Sequence, residues 1–561
     1  MKNQTEINTF DAIVVGSGIS GGWAAKELTE GGLKTLVLER GRNVEHIKDY
    51  TTALKAPWEF KHRTHLTKEE LEERPIQSSH CNAGDKHFYV KDSEHPYIQD
   101  KPFKWIRGYQ VGGRSLTWGR QSYRFSELDF EANKKDGHGV DWPIRYNDLK
   151  EWYDYVEEYV GISGSSESLP HLPDGVFLPA IPMNAIEKHL KESVSKHYSD
   201  RLIINGRVAN LSEYKEGRGK CMFRNLCSRG CPFSGYFSSN STTLVDAYNS
   251  GNLTLREHSV VKEVIYDEET KKAVGVKIID AISKEETTYY AKIIFLNASA
   301  IATASILLNS VSKSFPNGLG NSSLQVGHNL MDHVVNEGTY GTYDGLLDKY
   351  YEGRSPGTIY IPRFQNLNTK TTNTDFVRGY GIQGKGEREN WESKPTEGFG
   401  VALKAQLETP GKWKISLGGR GEVLPNYENK ISLDLQNRDQ WGLPLVKVHF
   451  EYGSNDLAMM EHMTKASEDI LIKAGFENVG SYRNSPPPGS AVHEMGTARM
   501  GNDPKTSVLN KYNQMHDVNN VFITDGSCMT SSGCQNPSLT YMALTARACR
   551  YAINQFKSNQ L

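Results

Sequence analysis

The chain has 561 residues, with 65 Lys and Arg against 67 Asp and Glu, a net charge of −2. Near-neutrality argues against a nucleic-acid binder held by phosphate contacts. At about 150 residues per domain the length predicts three or four domains, or fewer large ones.

No export signal is expected at the start of the chain, because residues 1–16 have no apolar run ahead of a cleavage site. The chain then opens as strand, turn, helix, strand. Asp11 to Val15 form a short β-branched run, glycines follow, and apolar residues from Trp23 to Leu28 fall at helical spacing. Lys34 to Glu39 read as a second strand. This βαβ start implies a parallel sheet. Residues 50–104 are polar and read as a surface excursion. Leu149, Trp152, Tyr153, Val156 and Val160 lie at helical spacing. Residues 252–296 read as several strands. Residues 293–308, the most apolar stretch, carry Asn297, Ser299, Thr303 and Ser305 and fall short of a membrane span. Four alternating runs, at 358–364, 399–407, 412–419 and 445–452, predict an antiparallel sheet distinct from the first. Residues 456–474 predict an amphipathic helix ending at Gly475. The last helix is expected to start at Pro537 with Asn536 as its N-cap.

Four motifs carry chemistry. Gly16-Ser17-Gly18-Ile19-Ser20-Gly21 lies between strand and helix, and Glu39 follows 18 residues past the last glycine. Bare glycines let the backbone approach a pyrophosphate, the helix N-terminus favours its charge, and Glu39 can accept from ribose hydroxyls. This is a dinucleotide-binding fingerprint, common to FAD and NAD sites. The second motif is Gly108-Tyr109-Gln110-Val111-Gly112-Gly113-Arg114-Ser115, followed by Trp118-Gly119. The third runs from His493 to Gly501, and the fourth from Val521 through Asp525-Gly526-Ser527 to Asn536-Pro537.

In this order, with Gly327-His328-Asn329-Leu330-Met331-Asp332-His333 between the second and third motifs, the chain resembles the glucose–methanol–choline (GMC) oxidoreductases. Asp439-Gln440-Trp441-Gly442-Leu443-Pro444 also keeps the family order. The resemblance spans nearly the whole chain. It implies an α/β fold: a Rossmann-like FAD-binding domain plus a substrate domain with a mostly antiparallel sheet. The two interleave, with 1–60, 105–142, 202–340 and 486–561 binding FAD and 61–104, 143–201 and 341–485 forming the substrate part. It places FAD against Gly16, Gly18, Gly21, Glu39, Gly112, Gly113, Ser115, Val261, Asp525, Gly526, Asn536 and Pro537. It makes His493 the base that takes the alcohol proton, with hydride passing to the flavin and Asn536 holding the substrate oxygen. Some members attach flavin through a His in a Ser-Thr-His-Trp run. Here the stretch reads Ser115-Leu116-Thr117-Trp118, so non-covalent FAD is expected.

Seven cysteines and no export signal disfavour a disulfide framework. Cys221, Cys227 and Cys231 fall in a C-x5-C-x3-C-P run, and three thiolates so spaced can converge on one centre. No nearby His offers a fourth zinc ligand. The spacing resembles that of sugar dehydrogenases of the family that carry a 3Fe-4S cluster, so a relay to a cytochrome c or similar acceptor is expected. Cys81, Cys528, Cys534 and Cys549 read as packing residues. The functional expectation is an FAD-dependent dehydrogenase oxidising a hydroxyl of a sugar or glycoside, at ring C3 among other positions. An oxygen-using oxidase without cluster and a lyase keeping FAD structurally are the alternatives. A small partner subunit carrying an export signal would place the protein in the periplasm; without one it is cytoplasmic.

Overall fold

The computed structural model describes residues 8–335, 338–349, 356–357, 359–389, 397–482 and 486–561. Residues 1–7, on which part of the export-signal reading rests, and Thr358 lie outside these.

The chain begins with the strand Thr9–Val15, the helix Ile19–Glu30 and the strand Thr35–Leu38, as the opening pattern predicts. The two strands pair in parallel, Ala12 opposite Thr35 and Val15 opposite Leu38. Every residue of Thr35–Leu38 is buried, because helices cover both faces of such a sheet. Leu253–Arg256 extends the sheet beyond Thr35–Leu38, and Glu286–Leu296 lies on the other side of Thr9–Val15. Val521–Ile523 adds to Glu286–Leu296 in parallel. Lys272–Asp280 and Ser259–Asp267 complete the sheet as antiparallel strands, so it is mixed rather than purely parallel.

Close backbone contact fixes the first turn. Gly16 has φ +94°, and a Cβ there would sit 2.4 Å from the Asn297 carbonyl oxygen. A Cβ on Gly21 would sit 1.9 Å from the Gly16 carbonyl oxygen, so this glycine lets the helix lie against the turn before it.

A second seven-stranded sheet is antiparallel throughout. Its order is Glu477–Ser481, Thr339–Tyr343, Trp413–Glu422, Tyr380–Arg388, Ile359–Ile361 and Ile204–Asn205, with His333–Val335 also on Trp413–Glu422. The helix Ser454–Lys473 covers it: Met463 and Met459 fill the space above Gly419 and Gly421. A third sheet joins Lys430–Arg438, Pro444–His449 and Ile98–Gln99. One contiguous core runs through both large sheets, from Ile13 and Trp23 through Trp142 and Ile382 to Met463 and Leu539.

Two expectations are corrected. The run 399–407 forms the exposed helix Gly400–Glu408 rather than a strand; it is rich in Ala, Leu, Lys and Gln, and outside a sheet helix propensity decides. The last helix is Ser538–Lys557, one residue later than expected, and no side chain caps it. Sheets and helices join segments far apart in the chain. Ile204–Asn205 and His333–Val335 join the antiparallel sheet, while the helix Tyr146–Val160 packs on the C-terminal helix, Tyr153 Oη lying 2.9 Å from Thr540 Oγ1. Strand pairing and apolar packing, not chain proximity, decide these neighbours.

The contact at Gly21 generates a test. Gly21→Ala forces the helix and the Gly16 turn apart and is expected to destabilise the fold by about 2 kcal/mol. An unchanged denaturation midpoint for this variant would rule out the close packing.

Candidate active site

A cavity of about 760 Å³ opens where the two large sheets meet. Gly16, Gly18, Glu39, Gly113, Ser115, Val261, Asp525, Gly526, Asn536, Pro537 and His493 all line it. Gly21 and Gly112, expected among the cofactor contacts, do not. Gly21 serves helix packing, and Gly112 sits under Asn240, whose Oδ1 lies 1.6 Å from where a Cβ would be. Asn240 in turn donates from Nδ2 to the Val44 and Val111 carbonyls, which anchors the glycine loop.

The dinucleotide end is built from backbone. No side chain caps the helix Ile19–Glu30 and no acidic residue lies in its first turn, which leaves its positive end available to an anion. Glu39 accepts from Ser17 N at 3.2 Å, from Gly41 N at 3.0 Å and from the Ser17 hydroxyl. Burial nonetheless raises its pKa. The Asp525 carboxylate accepts from Ser299 N at 2.9 Å, Ser527 N at 3.0 Å and the Thr303 hydroxyl, so it ties the turn after Glu286–Leu296 to the turn after Val521–Ile523. Tyr541 Oη and Arg120 Nε and Nη1 are buried in residues lining the cavity and have no hydrogen-bond partner there. An extended cavity, bare glycine backbone, an uncapped helix end and unpartnered polar atoms fit FAD.

The other end carries His493 and Asn536. The Asn536 side chain does not cap the last helix. Its Oδ1 accepts from Gln383 Nε2, and its Nδ2 lies 3.4 Å from His493 Nε2. The uncapped positive end of that helix, at Pro537 and Ser538, also lines the cavity. His493 is held from behind by two residues of the 327–333 motif. Asp332 Oδ1 accepts from His493 N at 3.0 Å, and His333 Nδ1 lies 2.7 Å from His493 Nδ1. Burial pushes His493 far below the usual imidazole range, and His333, Arg420 and Arg114 push the same way. Burial lowers His333 to about 4. Burial, with the Glu494 charge adding, raises Asp332 to about 7. Glu494 also pairs with Arg114, Oε2 to Nη2 at 2.7 Å. The arrangement therefore holds a neutral imidazole beside an amide donor, able to take a proton from a hydroxyl while the amide holds its oxygen.

Asp332, His333, Gln383, Arg420 and Tyr541 were not singled out as site residues from the sequence. Asp332 and His333 belong to the 327–333 motif, whose place in the family order is their signal in the sequence. Gln383 is one polar residue on a strand and has no local signature; only sheet register brings it to Asn536.

The cysteine loop is a neighbour of this cavity. Ser228, between Cys227 and Cys231, lines it. Cys221, Cys227 and Cys231 line a separate cavity of about 20 Å³, room for about one water. Among the described residues, no three His, Cys, Asp or Glu side chains are grouped to hold a metal ion. The expected ligand set is thus not assembled. Phe223 and Asn225 at φ +52° and +57° turn the loop back on itself, and Tyr236 shares the cavity wall. The remaining cysteines, Cys81, Cys528, Cys534 and Cys549, are buried and unbridged, consistent with packing roles.

Residues 10–335 and 425–545 match the N- and C-terminal regions described as GMC oxidoreductase. The chain is 28% identical to 2-methyl-1,2-propanediol dehydrogenase of Mycolicibacterium austroafricanum, over 98% of this chain and 96% of that one. It is 24% identical to the fructose dehydrogenase large subunit of Gluconobacter japonicus, over 99% and 100%. Among solved structures it is similar in fold to Aspergillus oryzae formate oxidase, with TM-score 0.62 at 14% identity, covering 98% and 99% of the two chains.

The buried groups predict a pH signature. His333 and His493 titrate lower folded than the unfolded value of about 6.5. Their stability contribution is present above about pH 6.5 and lost as pH falls toward their folded values. Asp332 runs the other way: its folded value of about 7 exceeds the unfolded value of about 3.9, so its contribution is present in acid and lost as pH rises through 7. Between those limits Asp332 offsets one histidine. Asp332→Asn should therefore steepen the loss of stability on acidification by about one proton, about 1.4 kcal/mol per pH unit. Denaturant titrations from about pH 6.5 to 4.5 measure this; equal slopes for variant and parent refute it.

Proposed function

Because the chain belongs to the GMC oxidoreductase family, we propose that it is an FAD-dependent dehydrogenase oxidising a hydroxyl of a sugar or related polyol to a carbonyl. The observation that carries this reading is the pairing of His493 Nε2 with Asn536 Nδ2 in the wall of the large cavity. The names of the diol and fructose dehydrogenases to which the chain is similar support the substrate class. A secondary ring hydroxyl, such as C3 of a glycoside, is the finer form of the same reading.

FAD, when bound, supplies the two-electron acceptor for the substrate C–H hydride. Gly16, Gly18 and the end of the helix Ile19–Glu30 would hold its pyrophosphate, and Glu39 and Asp525–Gly526 would hold its ribose and linker. Thr117 stands where a covalent attachment would need a histidine, so the flavin is non-covalent. His493 Nε2 accepts the hydroxyl proton. Asn536 Nδ2 donates to the substrate oxygen, and Gln383 fixes which end of the Asn536 amide faces the site. The depressed pKa keeps His493 ready as a base throughout the neutral range.

The electron acceptor is part of the proposal. The cysteine spacing resembles that of cluster-bearing relatives, but among the described residues Cys221, Cys227 and Cys231 are not grouped to hold a metal and the cavity they line has room for about one water, so as folded they do not fit a 3Fe-4S cluster and no step is routed through one. Ser228 brings the cysteine loop to the wall of the large cavity. The subunit named in the fructose dehydrogenase comparison supports a partner chain, through which an export signal would act. No helix among the described residues is long and apolar enough to cross a membrane.

An anaerobic panel of sugars and polyols, with an artificial acceptor, tests the assignment. Flavin absorbance should bleach with at least one of them, and His493→Ala should slow that bleaching by about 10²–10⁴-fold. Full-rate bleaching in the variant refutes the base. Iron and sulfide assays on the same protein are expected to find neither, as the cysteine geometry implies; iron and sulfide in stoichiometric amounts would overturn that reading, and peroxide formed in air would mark an oxidase.

A further inference from the structure

Two imidazoles in direct contact constrain each other's protons. His333 Nε2 lies 2.9 Å from the Gly533 carbonyl oxygen and 3.3 Å from that of Ser532. Carbonyl oxygens only accept, so His333 Nε2 carries a proton and donates it. His333 is completely buried and its second nitrogen faces a ring rather than a carboxylate. Were both its nitrogens protonated, the 2.7 Å contact at Nδ1 would require His493 Nδ1 to be the bare partner, beside a buried cation with Arg420 and Arg114 near by. That cost in desolvation and repulsion excludes it. His333 is therefore neutral, with Nδ1 bare, and His493 Nδ1 must be the donor.

We propose that His333 is a positioning residue that fixes the tautomer of His493: by accepting from His493 Nδ1 it leaves Nε2 bare, facing Asn536 and the cavity. This deepens the base assignment above and rests on it for its consequence in turnover. The proton order runs in one direction, from His493 Nδ1–H to His333 Nδ1 and from His333 Nε2–H to the 532–533 carbonyls. The edge-on geometry agrees: the two rings stand at 89° with centroids 4.9 Å apart, which aligns an in-plane N–H with an in-plane lone pair. The ring of His333 is itself pinned, since its residue lies in the strand His333–Val335 and its carbonyl accepts from Tyr452 Oη at 3.2 Å. A second device agrees at the other nitrogen. Gln383 occupies Asn536 Oδ1, so Asn536 presents an N–H to His493 Nε2, a match only for a bare nitrogen.

A neutral orienter has a different effect from the carboxylate that holds a catalytic histidine in many hydrolases. It sets the tautomer without adding negative charge. The charged groups around the pair are Arg420 and Arg114 on one sign and Glu494 on the other, with Asp332 at the His493 backbone. His493 thus remains a weak base over the neutral range, and the correct tautomer rather than a raised pKa makes it competent.

The test uses the flavin-loaded enzyme and two variants. His333→Leu keeps the bulk and removes the acceptor. His333→Gln supplies an oxygen toward His493 and an N–H toward the carbonyls. His333→Leu is expected to slow anaerobic flavin reduction at least about 100-fold with KM within about threefold, and His333→Gln to recover to within about tenfold of the parent. Equal losses in both variants, or loss confined to KM, would overturn the proposal. Nitrogen NMR of ¹⁵N-histidine-labelled holoenzyme, assigned with His493→Ala, reads the tautomer without turnover. His493 Nδ1 should show the protonated, pyrrole-type signal and Nε2 the bare, pyridine-type signal. The opposite assignment in the parent enzyme overturns the proposal whatever the kinetics. If no hydroxyl substrate reduces the flavin, the functional reading fails and the nitrogen spectrum alone decides this one.

Discussion

Two backbone hydrogen bonds exchanged between Met331 and Met495, each 2.9 Å, hold together the corner where His493 meets His333 and Asn536. They lay the segment that carries Asp332 and His333 against the one that carries His493. Gly327 N to the Thr497 carbonyl, at 2.8 Å, extends the same ladder. On its far side, Gly496 N reaches the Gly526 carbonyl at 3.0 Å and Ala498 N that of Ser527 at 2.8 Å. The His493 segment is thus clamped between two others. One leads into the antiparallel sheet through His333–Val335, and the other leaves the mixed sheet at Val521–Ile523. A shift in this ladder would move His493 away from its supports and from the cavity wall at once.

The electrostatics of the site follow from the same clamp. Burial makes ionisation of His493 costly. Arg114 and Arg420 near an imidazole keep it neutral, and Glu494 balances Arg114 without reaching His493. Asp332 spends both carboxylate oxygens on backbone N–H groups, those of His493 and Ala491. Its role is to shape the loop rather than to relay charge. Hydrogen bonds between neutral groups then do the orienting, and orientation survives pH changes that would upset a charged pair.

How far the site could be read without coordinates depended on how local each feature is. The Gly16–Gly21 turn and Glu39 are set by neighbours in sequence, so their spacing predicts them, whereas Asp525, Gly526, Asn536 and Pro537 follow from the family resemblance; Gly16, Gly18, Glu39 and those four line the cavity. Gly21 and Gly112 belong to the same motifs but face packing contacts. Spacing says that a glycine is required there without saying whether a ligand or another part of the chain comes close. The run 399–407 misled for a related reason: alternation of apolar residues predicts a strand only where a partner strand exists, and here the residues face solvent as a helix. Asn536 reads as a helix cap until Gln383, more than 150 positions away in sequence, is seen to occupy its carbonyl oxygen.

By itself the sequence determined the class of fold and the dinucleotide turn, and its motifs, through the family they resemble, pointed to His493 and Asn536. These depend on period, on glycine geometry and on contiguous motifs, which are properties of short stretches of chain. Tertiary structure alone decided which strands share a sheet, which glycines face a ligand, and that His333 stands behind His493. The last of these joins residues 160 positions apart through a 2.7 Å contact. Such a contact arises from the register of two segments in a ladder. No local propensity records that register, because only burial of the whole core selects it.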